Sequence, residues 1–173
     1  MIFNLLLSYK INYSNDCINN VFIISNLYIF NIKHKMTTKI YSKVEPDKIL
    51  LSMIRFDEIK DARNDISPDE EFIQASGRIL NSDFKVKAHK HNVQIRKTSL
   101  TQEAWVVLKG KIKAKFYDLD DKLIFETILK DGDCISIFRG GHSLEVLEDK
   151  TIFYEFKNGP YNGVAKDKVF IDG

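Results

Sequence analysis

Beyond residue 35 the chain holds three histidines, His89, His91 and His142. His89 and His91 are separated by one residue. On a strand, residues i and i+2 point to the same face, so the two imidazoles would project side by side. Each neutral ring offers a nitrogen lone pair, and two such rings make half of a metal site. His142 follows Gly140-Gly141 far along the chain, and Glu103 opens the run that ends at Gly110. Three imidazoles and one carboxylate would leave about two positions open on a six-coordinate ion, where a substrate or O₂ could bind. The expectation is one divalent metal ion held by His89, His91, Glu103 and His142, with iron, manganese, nickel, cobalt and zinc all compatible. Glu103 would be the fourth ligand, or a catalytic base that moves off the metal. The alternative is a metal-free pocket in which a histidine is a general base. That version needs a carboxylate to orient the ring, and no Asp lies close in sequence to the His89–His91 pair.

These side chains need a frame to bring them together, and the sequence predicts an all-β one. Phe72–Leu80 is apolar enough for a strand, and Phe84, Val86 and Ala88 alternate with Lys85, Lys87 and His89. Trp105 to Leu108 is continuously apolar, and Ile112, Ala114 and Phe116 alternate with lysines. Asp118 to Lys122, Asp131-Gly132-Asp133 and Glu148-Asp149-Lys150 read as turns between short strands. Strands of this length with turns at this spacing indicate a sandwich or barrel, and no long segment carries a 3.6-residue apolar period. Trp105 and Val107 share a face with Glu103, so Trp105 is expected in the interior as core or as a stacking wall for a substrate. Arg139, beside His142, could hold a phosphate or carboxylate of a substrate through its planar fork. Tyr154 is a further candidate on the substrate. Lys109, Lys111, Lys113 and Lys115 form a basic stripe that reads as a solvated outer face. Residues 37–71 read as mixed, with a short strand near Ile49–Ile54 followed by a loop.

His89-Lys90-His91, then Glu103, six residues and Gly110, followed by Gly132, a short strand, Gly140 and His142, resemble the two sequence motifs of the cupins. The resemblance covers Phe72 to Ile171 and requires a loop inserted at 92–102, between His91 and Glu103. Thr101-Gln102-Glu103-Ala104-Trp105, Phe138-Arg139-Gly140-Gly141-His142 and Gly159-Pro160-Tyr161 resemble stretches of small single-domain cupins related to the sugar-nucleotide epimerase and ketoisomerase barrels. The resemblance implies a single-domain jelly-roll (double-stranded β-helix) barrel over 72–173, preceded by an irregular segment, 36–71. It further implies an enzyme of sugar-isomerase or epimerase type on a small molecule within the barrel, in surface-polysaccharide synthesis. A metal-dependent oxygenase and a non-catalytic small-molecule-binding module are the alternatives. A homodimer is also implied, with the strand near Ile49 as a candidate for exchange between subunits.

Composition narrows the remaining classes. Net charge is +2, and 23 bases balance 23 acids once residues 1–35 are set aside. A nucleic-acid partner is therefore not expected. Two cysteines without metal-finger spacing suit a reducing, cytoplasmic compartment. Residues 1–35 contain seven Asn and seven Ile but no Ala, Gly, Pro, Glu, Gln, Arg, Thr or Trp. That bias is what translation of an AT-rich stretch would give, and it marks the segment as a non-native or disordered leader ahead of Met36. Its longest apolar stretch, Val21 to Ile32, is interrupted by Ser25, Asn26 and Asn31 and falls short of the ~20 apolar residues of a spanning helix, so no membrane partner is expected.

Overall fold

The computed structural model describes residues 21–24, 27–30 and 37–171 of the chain. Two units separate, Met1–Lys35 and Met36–Gly173. In the first, β1 (Val21–Ile24) and β2 (Leu27–Phe30) pair antiparallel. The rest of the expected leader, and Met36 itself, lies outside the described residues. The second unit is mostly β, with antiparallel sheets and almost no helix. Among the described residues no helix is long and apolar enough to cross a membrane.

The second unit begins with β3 (Thr38–Tyr41) and β4 (Ile49–Ile54), then the two-residue strands β5 (Asn64–Asp65) and β6 (Ser76–Gly77). It continues through β7 (Glu103–Lys109), β8 (Lys111–Tyr117), β9 (Leu123–Lys130), β10 (Cys134–Ile137), β11 (Gly141–Val146) and β12 (Ile152–Lys157). A one-turn helix, α1 (Val164–Asp167), follows. Five strands form one sheet in the order β12-β7-β10-β4-β3, and three form another in the order β11-β8-β9; neither closes on itself.

Alternation explains how the sheets meet. Along β8, Ile112, Ala114 and Phe116 are buried while the lysines between them are not. This is the period-2 signature of one wet and one dry face. The buried face meets Leu129 of β9 and, from the other sheet, Leu51, Met53, Trp105, Val107, Ile135 and Ile137. The lysine stripe reaches nearby acids, Lys111 to Glu148 in the turn before β12 and Lys113 to Glu126 on β9. β4, between β10 and β3 in its sheet, is buried along its whole length. Its second face is covered by the β5–β6 region, where Ile66 is buried and the Ser52 hydroxyl donates to the Ile66 carbonyl at 2.5 Å.

The tight turns are tied down by carboxylates. Asp133 is fully buried, where it accepts from the Arg55 guanidinium at 2.7 Å and from the amides of Phe56 and Lys130. Asp131 accepts from the Gly110 amide at 2.7 Å. The reading of Asp131-Gly132-Asp133 as a turn is borne out, with Gly132 at φ +80°.

The strand expected at Ile49–Ile54 is present as β4; it pairs with β10 and β3 of its own chain, and residues 36–71 lie in the same unit as 72–173. Two expectations are corrected. Within Phe72–Leu80 only Ser76–Gly77 is strand. Residues 84–89 alternate like a strand but form none: 78–102 carry no strand or helix, because no strand among the described residues offers their backbone a partner.

Candidate functional site

β7 places Glu103 and Trp105 on its inward face, two residues apart. Ile137 and Ile135 of β10 stand opposite them on one side, and Lys157 and Glu155 of β12 on the other. From the second sheet β11 brings His142, whose register partner Phe116 lies in the core. Gly140 makes the turn before it. At φ +78° it has a conformation L side chains avoid, and a Cβ there would run into the Tyr117 carbonyl. The short segment around α1 closes one side, with Asp167 within 3.5 Å of the Lys157 ammonium and accepting from the Thr101 hydroxyl at 3.4 Å. These elements surround a cavity of about 520 Å³ lined by Glu103, Trp105, His142, Ser143 and the chain from Asp167 to Ile171.

Within it, Nε2 of His142 lies 3.2 Å from Oε2 of Glu103, and Nζ of Lys157 lies 3.9 Å from Oε1. The Trp105 ring meets His142 edge-on, centroids 5.2 Å apart. Burial acts to raise the Glu103 carboxyl, but His142, Lys157 and Lys168 outweigh it and hold the group below its ordinary value. The same carboxylate, with Asp167 and Glu155, raises Lys157 against the opposing effect of its own desolvation.

Three buried polar atoms here lack any hydrogen-bond partner: Glu103 Oε2, Trp105 Nε1 and His142 Nδ1. Glu103 Oε2 is close to His142 but not aligned with it as a hydrogen bond. Nearly all buried polar atoms in folded proteins are satisfied, and leaving one unpaired costs about 1–3 kcal/mol. Three beside one cavity, an acceptor, a donor and an imidazole nitrogen, are groups that ordered water or a polar ligand would satisfy.

Of the four metal ligands expected from the sequence, Glu103 and His142 are brought together here. His89 and His91 are not: their rings stand 5.4 Å apart on the exposed segment 78–101, and neither lines the cavity. Among the described residues no three His, Cys, Asp or Glu side chains converge on one point. A single chain thus offers two of the three or four protein donors that a first-row metal usually takes, so the donor set does not fit a metal ion as one chain arranges it.

Trp105 lines the cavity as expected. Arg139 does not: it donates through one nitrogen to both carboxylate oxygens of Glu71, at 2.7 and 3.0 Å, and bonds the Ile49 carbonyl. Tyr154 lies on the outer face of β12 beside Phe156, away from the cavity. Lys157 and Asp167 were not anticipated. Lys157 shares strand parity with Phe153 and Glu155, a signal available in the sequence; Asp167 carried none. No protein-family model, curated protein or solved structure matches the chain.

Proposed function

We propose that the second unit is a cupin-type jelly-roll barrel that binds a small polar molecule, a sugar or sugar derivative, and shifts a proton on it in an isomerase- or epimerase-type reaction. The observation that carries this reading is the set of three unpartnered buried atoms around one cavity. A hydroxylated ligand satisfies all three: the Trp105 N–H donates to an oxygen, Glu103 accepts from a hydroxyl, and His142 completes the set. The chemistry follows from the pair. Glu103, an acceptor only when ionised, favours the His142 tautomer with its proton on the facing Nε2, which leaves the lone pair on Nδ1. A base of that kind removes a proton from carbon next to a carbonyl, and Lys157 supplies positive charge 3.9 Å from the Glu103 carboxylate. In this reading Glu103, 3.2 Å from Nε2 of His142, is the carboxylate that the metal-free version required.

The test uses the chain's single tryptophan, Trp105. Titration with aldo- and keto-sugar phosphates and sugar nucleotides should change its emission, with Glu103→Gln and His142→Gln each weakening binding about 10-fold or more. Incubation with the ligand in D₂O should place deuterium next to the carbonyl. No emission change across the panel would reject the reading, and binding without deuterium uptake would leave a small-molecule-binding module in its place.

A second reading is a metal-dependent enzyme, isomerase or oxygenase, with His89, His91, Glu103 and His142 as ligands. What supports it is that Glu103 and His142 lie 3.2 Å apart at the cavity, while the rings of His89 and His91 stand 5.4 Å apart on one exposed segment of the same chain.

A further inference from the structure

Residues 78–101 are a segment that one copy of the chain does not house. All are exposed, including Val86, Val93 and Ile95, the last two almost entirely so. Among the described residues, those from 81 to 99 form hydrogen bonds only within 81–100. Both ends are nevertheless fixed: the Ile79 amide donates to the Asp61 carbonyl, and Asn158 holds the Leu100 carbonyl and the Gln102 amide. A structureless span of this length within one folded unit is uncommon and usually functional. It also keeps the alternation of a strand at Phe84, Val86 and Ala88, which a sheet edge would complete.

Three features of the body match it. The cavity lies between two sheet edges, β12 and β11, neither of which has a second neighbour among the described residues. The outer face of β12 leaves Ile152, Tyr154 and Phe156 exposed, an apolar strip beside that opening. Charge is also split. Segment 78–101 carries six bases and one acid, so the other residues of 36–173 carry 17 bases and 22 acids. A loop of net +5 thus projects from a body of net −5.

We propose that residues 81–100 are an exchanged loop: two copies of the chain pair, and each loop lies across the other's cavity, bringing His89 and His91 to the partner's Glu103 and His142. Four ligands that no single copy assembles are then complete twice in a dimer. The segment exchanged is this loop, not the strand at Ile49, which is paired within its own chain. The metal part of the proposal rests on the second functional reading above; the exchange itself does not.

The experiment uses full-length protein carrying two different non-histidine tags. One chain carries His89→Ala and His91→Ala, the other Glu103→Ala and His142→Ala; they are co-expressed, and the doubly tagged dimer is isolated and loaded with cobalt(II). Exchange predicts about half the wild-type metal in this mixed dimer, because one cavity receives an intact loop, and none in either variant alone. No metal in the mixed dimer, with normal loading of wild type, would show that the loop serves its own cavity and would overturn the proposal. If wild type itself binds no cobalt, the metal reading fails while exchange is still decided by cross-linking. Chains with Ala88→Cys, mixed during expression with chains carrying Ser143→Cys, should give a disulfide-linked dimer on oxidation, with wild type as the blank. A monomeric mass, or the absence of that link, would overturn exchange. So would a monomer whose loop is shielded from trypsin only by added nucleic acid, which would give the basic loop a different occupant.

Discussion

Replacing Arg139 with Met should unfold the protein more readily without touching the cavity. Glu71, its side chain 6% exposed, receives both Arg139 contacts and one bond from the Gln102 amide at 2.7 Å. Removing the guanidinium leaves a buried carboxylate with one neutral donor, and breaking such a pair from one side costs about 3–5 kcal/mol. Arg139 is itself 17% exposed, so some of its attraction is already screened and the lower end applies, about 3 kcal/mol. For a chain of this size that corresponds to a fall in Tm of roughly 6–12 °C. Glu71→Met should cost a similar amount, because Arg139 is left facing only the Ile49 carbonyl. The double variant removes both charges and leaves mainly the Gln102 amide unpaired, so its loss should be about 1–2 kcal/mol, well below the sum of the singles. Urea unfolding at pH 7, followed by Trp105 fluorescence, measures all four proteins. A single-variant loss under ~1 kcal/mol, or additive losses in the double, would refute the assignment. Loss of ligand affinity with unchanged stability would instead return Arg139 to the substrate, where the sequence had suggested it.

Gly140→Ala should destabilise by about 2 kcal/mol or more, since it combines a strained φ with contact against the Tyr117 carbonyl; a urea midpoint equal to wild type would contradict the turn geometry. Burial, aided by Asp133, pushes the Cys134 thiol up to about 11, so at pH 8 in a Cys17→Ser background its alkylation by iodoacetamide should be about 100-fold slower than that of an ordinary thiol. Alkylation at the rate of the unfolded chain would disprove it. Burial works to raise the Asp118 carboxyl, but the Ser42 hydroxyl and the amides of Lys43, Leu119 and Val44 outweigh it and hold the group below its ordinary value. That contribution is present above the unfolded value of 3.8 and is lost as pH falls through the lower folded value. Asp118→Asn should therefore lose less stability than wild type as pH falls below about 4, measured by urea midpoints; parallel acid limbs would refute it.

What the sequence revealed follows from where each signal resides. β4, β7, β8, β10 and β12 were legible because alternation or apolar runs fall between turn residues, and the interior position of Trp105 followed from its parity with Glu103. The stretch 84–89 shows the limit of that signal. Alternation states which residues would share a face, whereas a strand also needs a backbone partner, and none is supplied among the described residues. Tyr154 was misplaced because β12 carries aromatics on both faces, Phe153 inward and Tyr154 outward, so periodicity does not choose the wet side. Arg139 resembled a binding residue because its acceptor, Glu71, comes from a distant part of the chain. The His142–Glu103 pair was half legible: both residues were chosen, but for a four-ligand set rather than for each other.

The position of β4 bears on how the protein is made. Residues 51–54 pair with 134–137, and β4 binds in the larger sheet through β10 on one side and β3 on the other. At ordinary rates of synthesis, about 5–20 residues per second, β10 leaves the ribosome roughly 4–16 s after β4. During that interval one of the most apolar strands in the chain has only β3 beside it. The larger sheet therefore closes late, through contacts of long sequence separation that slow folding. The nascent chain should be most prone to aggregation, and most in need of a chaperone, before residue 137 emerges.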